Sequence, residues 1–358
     1  MTSGGDCQSL NATMRGVAKA LYHMSDNVEI VGFENGYYGL IYGQYKEMKR
    51  EDFSGILTVG GTILGTSRQP FKLMMEPDEN GLDKVEAMKN NYKNAKLDCL
   101  VILGGNGSQK TANLLAEEGL NIVSLPKTID MDLWGTDETF GFHSAVEVAT
   151  KVIDCIHTTA ASHSRVFIIE VMGHKVGWLT LYAGIAGGAD IILLPEIPYD
   201  IEVVAEAVKK RIAEGKKFSI IAVAEGALSK EDAALTKKEL KKKRKEQILY
   251  PSVAYEIGAG IQKLTGEEVK VTVPGHMQRG GEPSAYDRVL ATRLGAEAAK
   301  LVVNKQFGYM VSVNGNDIDK VPLSEIAGKL KKVNPDNSII EEARMTGICF
   351  GDEISAVF

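Results

Sequence analysis

A chain of 358 residues, 44% hydrophobic and 25% charged, is long enough for two domains of ordinary size. Its net charge of −6 argues against nonspecific nucleic-acid binding. No apolar stretch of membrane-spanning length and no basic-then-apolar leader is present, and Cys7, Cys99, Cys155 and Cys349 have neither metal-ligand spacing nor the density of a disulfide framework, so a soluble cytoplasmic protein is expected.

The chain opens on Met1-Thr2-Ser3 and enters Gly4-Gly5-Asp6 with no strand predicted ahead of the glycines. The spacing of Met14, Val17, Ala18 and Leu21 predicts a helix from about Asn11 to His23. Residues 28–33 read as a strand, Gly36-Tyr37-Tyr38-Gly39 as a turn, and 56–59 as a short strand meeting Gly60-Gly61. A helix is predicted over 83–93 and a buried strand over 99–103; Gly104-Gly105-Asn106-Gly107-Ser108 and a helix ending at Gly119 follow. Ile122 to Leu125 reads as another buried strand. After a polar loop containing Gly135 and Gly141, Ser144 and Glu147 form a capping-box pattern, and Ala149, Val152, Ile153 and Ile156 mark the buried stripe of a helix.

Three further strands are predicted over 166–171, 191–194 and 218–224, ending at Met172-Gly173-His174, Pro195-Glu196 and Glu225-Gly226. Ser229 to Gln247 is crowded with lysine but has no interleaved aromatic, the pattern of a solvated helical excursion more than of a nucleic-acid patch. Val271-Thr272-Val273 resumes strand character before Gly275-His276-Met277-Gln278-Arg279-Gly280-Gly281. Strands alternating with helices point to an α/β fold with parallel, doubly wound sheets.

The chemistry concentrates on the loops after strands. Leu125-Pro126-Lys127-Thr128-Ile129-Asp130-Met131-Asp132 places two carboxylates, a hydroxyl and an amine beyond a strand's carboxyl end, where open α/β sheets bind ligands; the alternative is a solvated turn. Double glycines at Gly4, Gly60 and Gly104, each read as lying beside a sheet edge, suggest a polyphosphate approached by backbone N–H groups. The ending of a Walker loop is absent.

Together these stretches resemble the 6-phosphofructokinases, which use ATP or pyrophosphate. Gly4-Gly5-Asp6 with Asn11 and Arg15 is similar to the family's first glycine loop, and Gly61-Thr62 with Gly65 and Arg68 to its second. Gly104 to Ser108, Pro126 to Asp132, Met172-Gly173, Gly275 to Gly281 and then Pro283, Tyr286, Asp287 and Arg288 keep the family's order. The resemblance implies two Rossmann-like α/β domains with an active site between them. The phosphoryl-donor (nucleotide) domain would take 1–141 plus about 278–328, and the sugar-phosphate domain 142–277 plus about 329–358. It also implies a homodimer or homotetramer that phosphorylates fructose 6-phosphate at C1 in glycolysis, with Mg²⁺.

By the same resemblance Asp130 is the catalytic base, Thr128 holds the attacking hydroxyl or the transferring group, and Asp132 and Asn106 place the metal. Gly5, Tyr37, Arg68, Asn106, Gly107, Ser108 and Lys127 would meet the donor. Arg165, Lys270, His276 and Arg279 would grip the 6-phosphate, with Met172, Gly173, His174 and Glu225 around the sugar.

The chain departs from the family's pattern at Asn106 (usually aspartate), Met131 (asparagine), Ser9 (glycine), His174 and Lys270 (both arginine). Lys175 beside His174 would substitute only partly. The family's first central strand, expected ahead of Gly4, is missing, which would leave a sheet edge open. Of the bacterial effector site, Lys19, Lys216 and Glu196 match while His157 and Glu214 replace basic residues, so tight binding of an anionic effector is not expected. For the donor, Gly107 has no side chain to exclude a nucleotide, whereas Lys127 is typical of pyrophosphate users. Steric and like-charge exclusion is the stronger veto, and ATP is the expected donor. A degenerate subunit that binds sugar phosphate without turnover, motivated by Asn106, His174 and the missing first strand, and a lipid or nicotinamide-nucleotide kinase are the alternatives.

Overall fold

The computed structural model describes residues 1–246 and 250–353. Its strands are, in chain order, β1 (Thr2–Ser3), β2 (Ile30–Phe33), β3 (Tyr45–Met48), β4 (Leu100–Gly104), β5 (Ile122–Pro126), β6 (Val166–Val171), β7 (Ile191–Leu193), β8 (Ser219–Ala224), β9 (Val269–Thr272), β10 (Tyr309–Asn314) and β11 (Asp317–Pro322). The chain divides into two compact units, Met1–Ala145 with Arg279–Lys331, and Val146–Gln278 with Lys332–Phe358.

The first unit carries a five-stranded sheet in the order β1-β4-β5-β10-β11, parallel except for the β10–β11 hairpin. Strands β4 and β5 read as near-continuous apolar runs because helices cover both faces of such a sheet. Ile102, Ile122 and Met310 from the sheet meet Leu115, Met88, Leu40 and Phe33 in its core. The second unit holds a fully parallel sheet, β7-β8-β6-β9. Ile168, Leu193, Ile221 and Val223 pack there against Val204, Val208, Ile257 and Ile261. Glu170 of β6 is buried, yet its Oε2 accepts the Ala254 N–H at 3.0 Å in the first turn of helix Val253–Thr265, where the helix dipole favours an anion.

Several local expectations are corrected. Thr2–Ser3 does form a strand, pairing in parallel with Leu103 and Gly104 at the sheet edge. Residues 56–58 form a 3₁₀ turn instead of a strand, because the Asn11 side chain occupies the neighbouring backbone groups: its Nδ2 donates to the Val59 carbonyl at 3.0 Å and its Oδ1 accepts from Ile63 N–H at 2.9 Å. Gly60-Gly61 therefore follows no strand. Gly36-Tyr37-Tyr38-Gly39 opens a short helix, Tyr37–Tyr42. Ser144 is not a cap but lies within helix Phe142–His163, and its hydroxyl turns to Asp287. The lysine-rich excursion contains helix Lys237–Glu246; Gln247 lies outside the described residues. Strand β3 and the β10–β11 hairpin have no counterpart in the sequence reading. Among the described residues, no helix is long and apolar enough to cross a membrane.

Candidate active site

In the first unit two glycine turns and the 126–141 loop lie at the carboxyl ends of β1, β4 and β5. The first turn is anchored through its carbonyls: the Thr66 hydroxyl donates to Gly4 at 2.7 Å, the Lys127 Nζ to Gly5, and the Arg279 Nη1 to Asp6 at 2.8 Å. The Arg279 Nε is buried without a hydrogen-bond partner among the described residues, an orphaned donor of the kind an anion satisfies.

The second turn opens helix Asn106–Glu117. A Cβ at Gly104 would lie 2.3 Å from the Ser108 Cβ, so only glycine permits this strand-to-helix corner. Ser108 itself is buried, and its Oγ meets the Ser3 Oγ at 3.0 Å. A Cβ at Gly107, by contrast, would meet nothing within 4 Å. The twelve-residue helix directs its first N–H groups and positive dipole end toward this turn, an arrangement that favours phosphate. Tyr37, expected by resemblance to contact the nucleotide, has a fully buried ring, and its hydroxyl donates to the Ser108 carbonyl at 2.7 Å, so it supports the turn from beneath. Arg68 is exposed on the segment after Gly65.

The 126–141 loop is tightly held. The Thr128 Oγ1 accepts the Asp130 N–H at 3.0 Å, and the Thr139 hydroxyl donates to the Thr128 carbonyl at 2.9 Å. Met131, between the two aspartates, is left-handed at φ 53°, a conformation asparagine tolerates better; burial of its side chain offsets that cost. The Asp132 carbonyl accepts the Lys331 N–H at 2.9 Å, and the Lys331 Nζ donates to the carbonyls of Thr136 at 3.0 Å and Asp137 at 2.7 Å. Leu133 bridges Leu330, and the Asn106 side-chain amide donates to the Lys329 carbonyl. At the loop's far end, the Asp287 carboxylate, fully buried, accepts from Gly141 N–H at 3.1 Å, Ser144 N–H at 2.9 Å and the Ser144 hydroxyl.

In the second unit, the turn after β6 carries Met172, Gly173 and His174. One oxygen of Glu225, at the end of β8, accepts the N–H groups of Gly173 at 3.3 Å and His174 at 2.7 Å. Gly173 has φ 145°, and a Cβ there would lie 2.6 Å from the Val176 carbonyl oxygen. The Gln278 Oε1 accepts the Met172 N–H at 3.1 Å, while its Nε2 donates to Gly275, so this buried glutamine ties the turn to the one bearing the exposed His276. Arg165 and Lys270 share one carboxylate: Glu268 lies 2.6 Å from the Arg165 Nε and 2.8 Å from the Lys270 Nζ. These contacts hold the Glu268 carboxyl below its usual range, Lys270 most strongly.

Of the effector positions, His157 Nε2 lies 2.7 Å from the Gly187 carbonyl, and Glu196 Oε1 accepts from Gly177 and Val333 N–H. Sequence reasoning missed Lys331, Glu268 and Gln278 as site supports. Gln278 lies inside a recognised motif and could have been found there; Lys331 has no local signal.

The family model described as phosphofructokinase matches residues 1–302. The chain belongs to the phosphofructokinase family. An ATP-dependent 6-phosphofructokinase of Spirochaeta thermophila is 54% identical to it over 361 residues, covering 99% of this chain and 97% of the relative. An ATP-dependent 6-phosphofructokinase 3 of Bacteroides thetaiotaomicron is 46% identical, with 98% of each chain covered. Among solved structures, phosphofructokinase from Saccharomyces cerevisiae matches with a TM-score of 0.77 at 34% identity over 91% of this chain; the match spans 44% of the yeast chain. A pyrophosphate-dependent phosphofructokinase from Nitrosospira multiformis has a TM-score of 0.79 at 20% identity, a likeness of fold alone. As a phosphofructokinase-family member the chain is an α/β phosphotransferase.

Proposed function

We propose that this protein transfers the γ-phosphoryl group of ATP to the C1 hydroxyl of fructose 6-phosphate, giving fructose 1,6-bisphosphate and ADP in glycolysis, in the cytoplasm. The observation that carries the donor assignment is Gly107: it is exposed at the mouth of the phosphate-favouring helix, with open space where a side chain would stand. Relatives named ATP-dependent 6-phosphofructokinase agree with that reading.

Asp130 accepts the C1 hydroxyl proton as the oxygen–phosphorus bond forms and the bond to the β-phosphate oxygen breaks. Thr128 orients the loop through its bond to the Asp130 N–H and presents its hydroxyl to the reacting groups. The N–H groups of the two glycine turns, with Arg68, receive the donor phosphates and developing charge, while the orphaned Nε of Arg279 suits the sugar 6-phosphate. Arg165, Lys270 and His276 grip the 6-phosphate, which displaces Glu268 from the first two. Met172, Gly173 and Glu225 bound the sugar. Among the described residues no cluster of three metal-ligating side chains exists. That fits Mg²⁺, which keeps several waters and takes one or two carboxylates plus substrate phosphates; Asp132 is the carboxylate suited to hold it. A magnesium ion held there would neutralise charge on the donor phosphates.

By family resemblance Arg165 and Lys270 serve a neighbouring subunit, so the working form is a homo-oligomer and activity falls on dilution in step with dissociation. A coupled assay with fructose 6-phosphate, Mg²⁺ and either ATP or pyrophosphate tests the function. ATP supports turnover, and Gly107→Asp suppresses it far more than any pyrophosphate reaction. Turnover with pyrophosphate and negligibly with ATP would overturn the donor assignment; turnover with neither would overturn the activity.

A further inference from the structure

Lys127 follows β5 and is only 4% exposed, and its ammonium donates to the carbonyl of Gly5, across the sheet in the first glycine turn. A Cβ at Gly4 or Gly105 would stand 3.6 or 3.7 Å from this Nζ, so the ammonium lies where the two glycine turns approach each other. The next carbonyl, of Asp6, is taken by Arg279 at 2.8 Å. In a trans peptide the C=O and the following N–H point in opposite directions. Two cations holding the Gly5 and Asp6 carbonyls therefore turn the N–H groups of Asp6 and Cys7 the other way, as successive N–H groups are turned in an anion nest. Burial, with Arg279 nearby, lowers the Lys127 pKa from its ordinary value.

We propose that Lys127 is a positioning residue: it braces the first glycine turn so that the turn's own N–H groups bind the donor, and it does not itself ligate a donor phosphate. This inference rests on the reading of the glycine turns as the donor site. It accounts for a lysine at this position in a protein that takes ATP.

Lys127→Met, in the full chain, keeps the bulk and removes the donor. The expected results are roughly tenfold faster amide hydrogen exchange over Gly4–Cys7 in the ligand-free protein and a roughly tenfold higher KM for ATP, within the range for a lost buried hydrogen bond. The KM for fructose 6-phosphate stays unchanged, and pyrophosphate turnover is negligible before and after substitution. Unchanged exchange, or wild-type pyrophosphate turnover that the substitution abolishes, would overturn the proposal. If wild type fails with ATP, the donor reading falls while the exchange measurement still decides the brace. Should Lys127→Met not fold, calorimetry on wild type decides: binding of magnesium–ATP without measurable binding of magnesium pyrophosphate supports the brace, and tight pyrophosphate binding overturns it.

Discussion

Asn106 donates its side-chain amide to the carbonyl oxygen of Lys329 at 2.6 Å. Through that bond the start of helix Asn106–Glu117 holds residues 329–331, which in turn hold the loop of Asp130 and Asp132 by the Lys331 N–H and ammonium. The aspartate usual in the family at this position could not make the bond, because a carboxylate has no N–H and repels a carbonyl oxygen.

Asn106→Asp should therefore weaken the protein's hold on the loop despite restoring the family residue. Loss of one partly exposed hydrogen bond corresponds to about 0.5–1.5 kcal/mol, so kcat should fall roughly two- to tenfold with the KM for fructose 6-phosphate unchanged. Exchange of the Lys331 amide should accelerate in the metal-free protein. A rise in kcat with tighter Mg²⁺ dependence and unaltered exchange would instead make Asn106 a metal ligand first.

Asp130→Asn retains the loop's shape, since the Asp130 contact to Thr128 uses the backbone N–H. Turnover should drop by about 10²–10⁴-fold, the usual contribution of a general base, while fructose 6-phosphate still binds. Single-turnover rates and equilibrium binding measured on the same preparation separate the two effects.

Glu268→Gln removes the charge that Arg165 and Lys270 share. An incoming phosphate then displaces a neutral amide, and the KM for fructose 6-phosphate should fall about threefold, the modest scale of exposed ion pairs. The gain should vanish in Arg165→Ala. A raised KM in Glu268→Gln would mean that the carboxylate orients the two cations for binding.

Ser144→Ala deprives the buried Asp287 carboxylate of a hydroxyl donor and leaves the Ser284 N–H, 3.0 Å from the Ser144 Oγ, without its acceptor. A buried group left unsatisfied costs about 1–3 kcal/mol. The denaturation midpoint should shift accordingly, and Asp287→Asn should be worse, because it turns one carboxylate oxygen into a donor facing N–H groups. Equal midpoints for wild type and Ser144→Ala would contradict this role.

Burial pushes the Cys7 thiol up to about 11 and the Cys99 thiol up to about 12, whereas Cys155 is exposed. The thiolate is the reactive form, and at pH 8 roughly one Cys7 in a thousand carries it if native. Iodoacetamide should label Cys155 first and leave Cys7 and Cys99 unmodified until denaturant is added. Mass spectrometry of peptides after timed quenching reads the order directly.

The sequence by itself determined the alternation of buried strands and helices, with β6 placed over Val166–Val171 as expected, and the loops that carry the chemistry. Apolar runs bounded by glycine turns are local signals, and Gly104 next to Ser108 is dictated by a clash within five residues. Tertiary structure alone decided what those loops hold. Ile56 looks like a strand residue, but Asn11 takes the backbone groups just after it. Ser144 and Glu147 look like a capping box, but a carboxylate 143 residues away captures the serine. Tyr37 is expected at the nucleotide by family resemblance, and only packing shows its hydroxyl turned inward to Ser108. Lys331 carries no mark in its neighbourhood that it reaches the loop of Asp130. Hydrogen-bond donors and acceptors pair by position in space, and a buried polar group takes the partner the fold delivers, however far along the chain it lies.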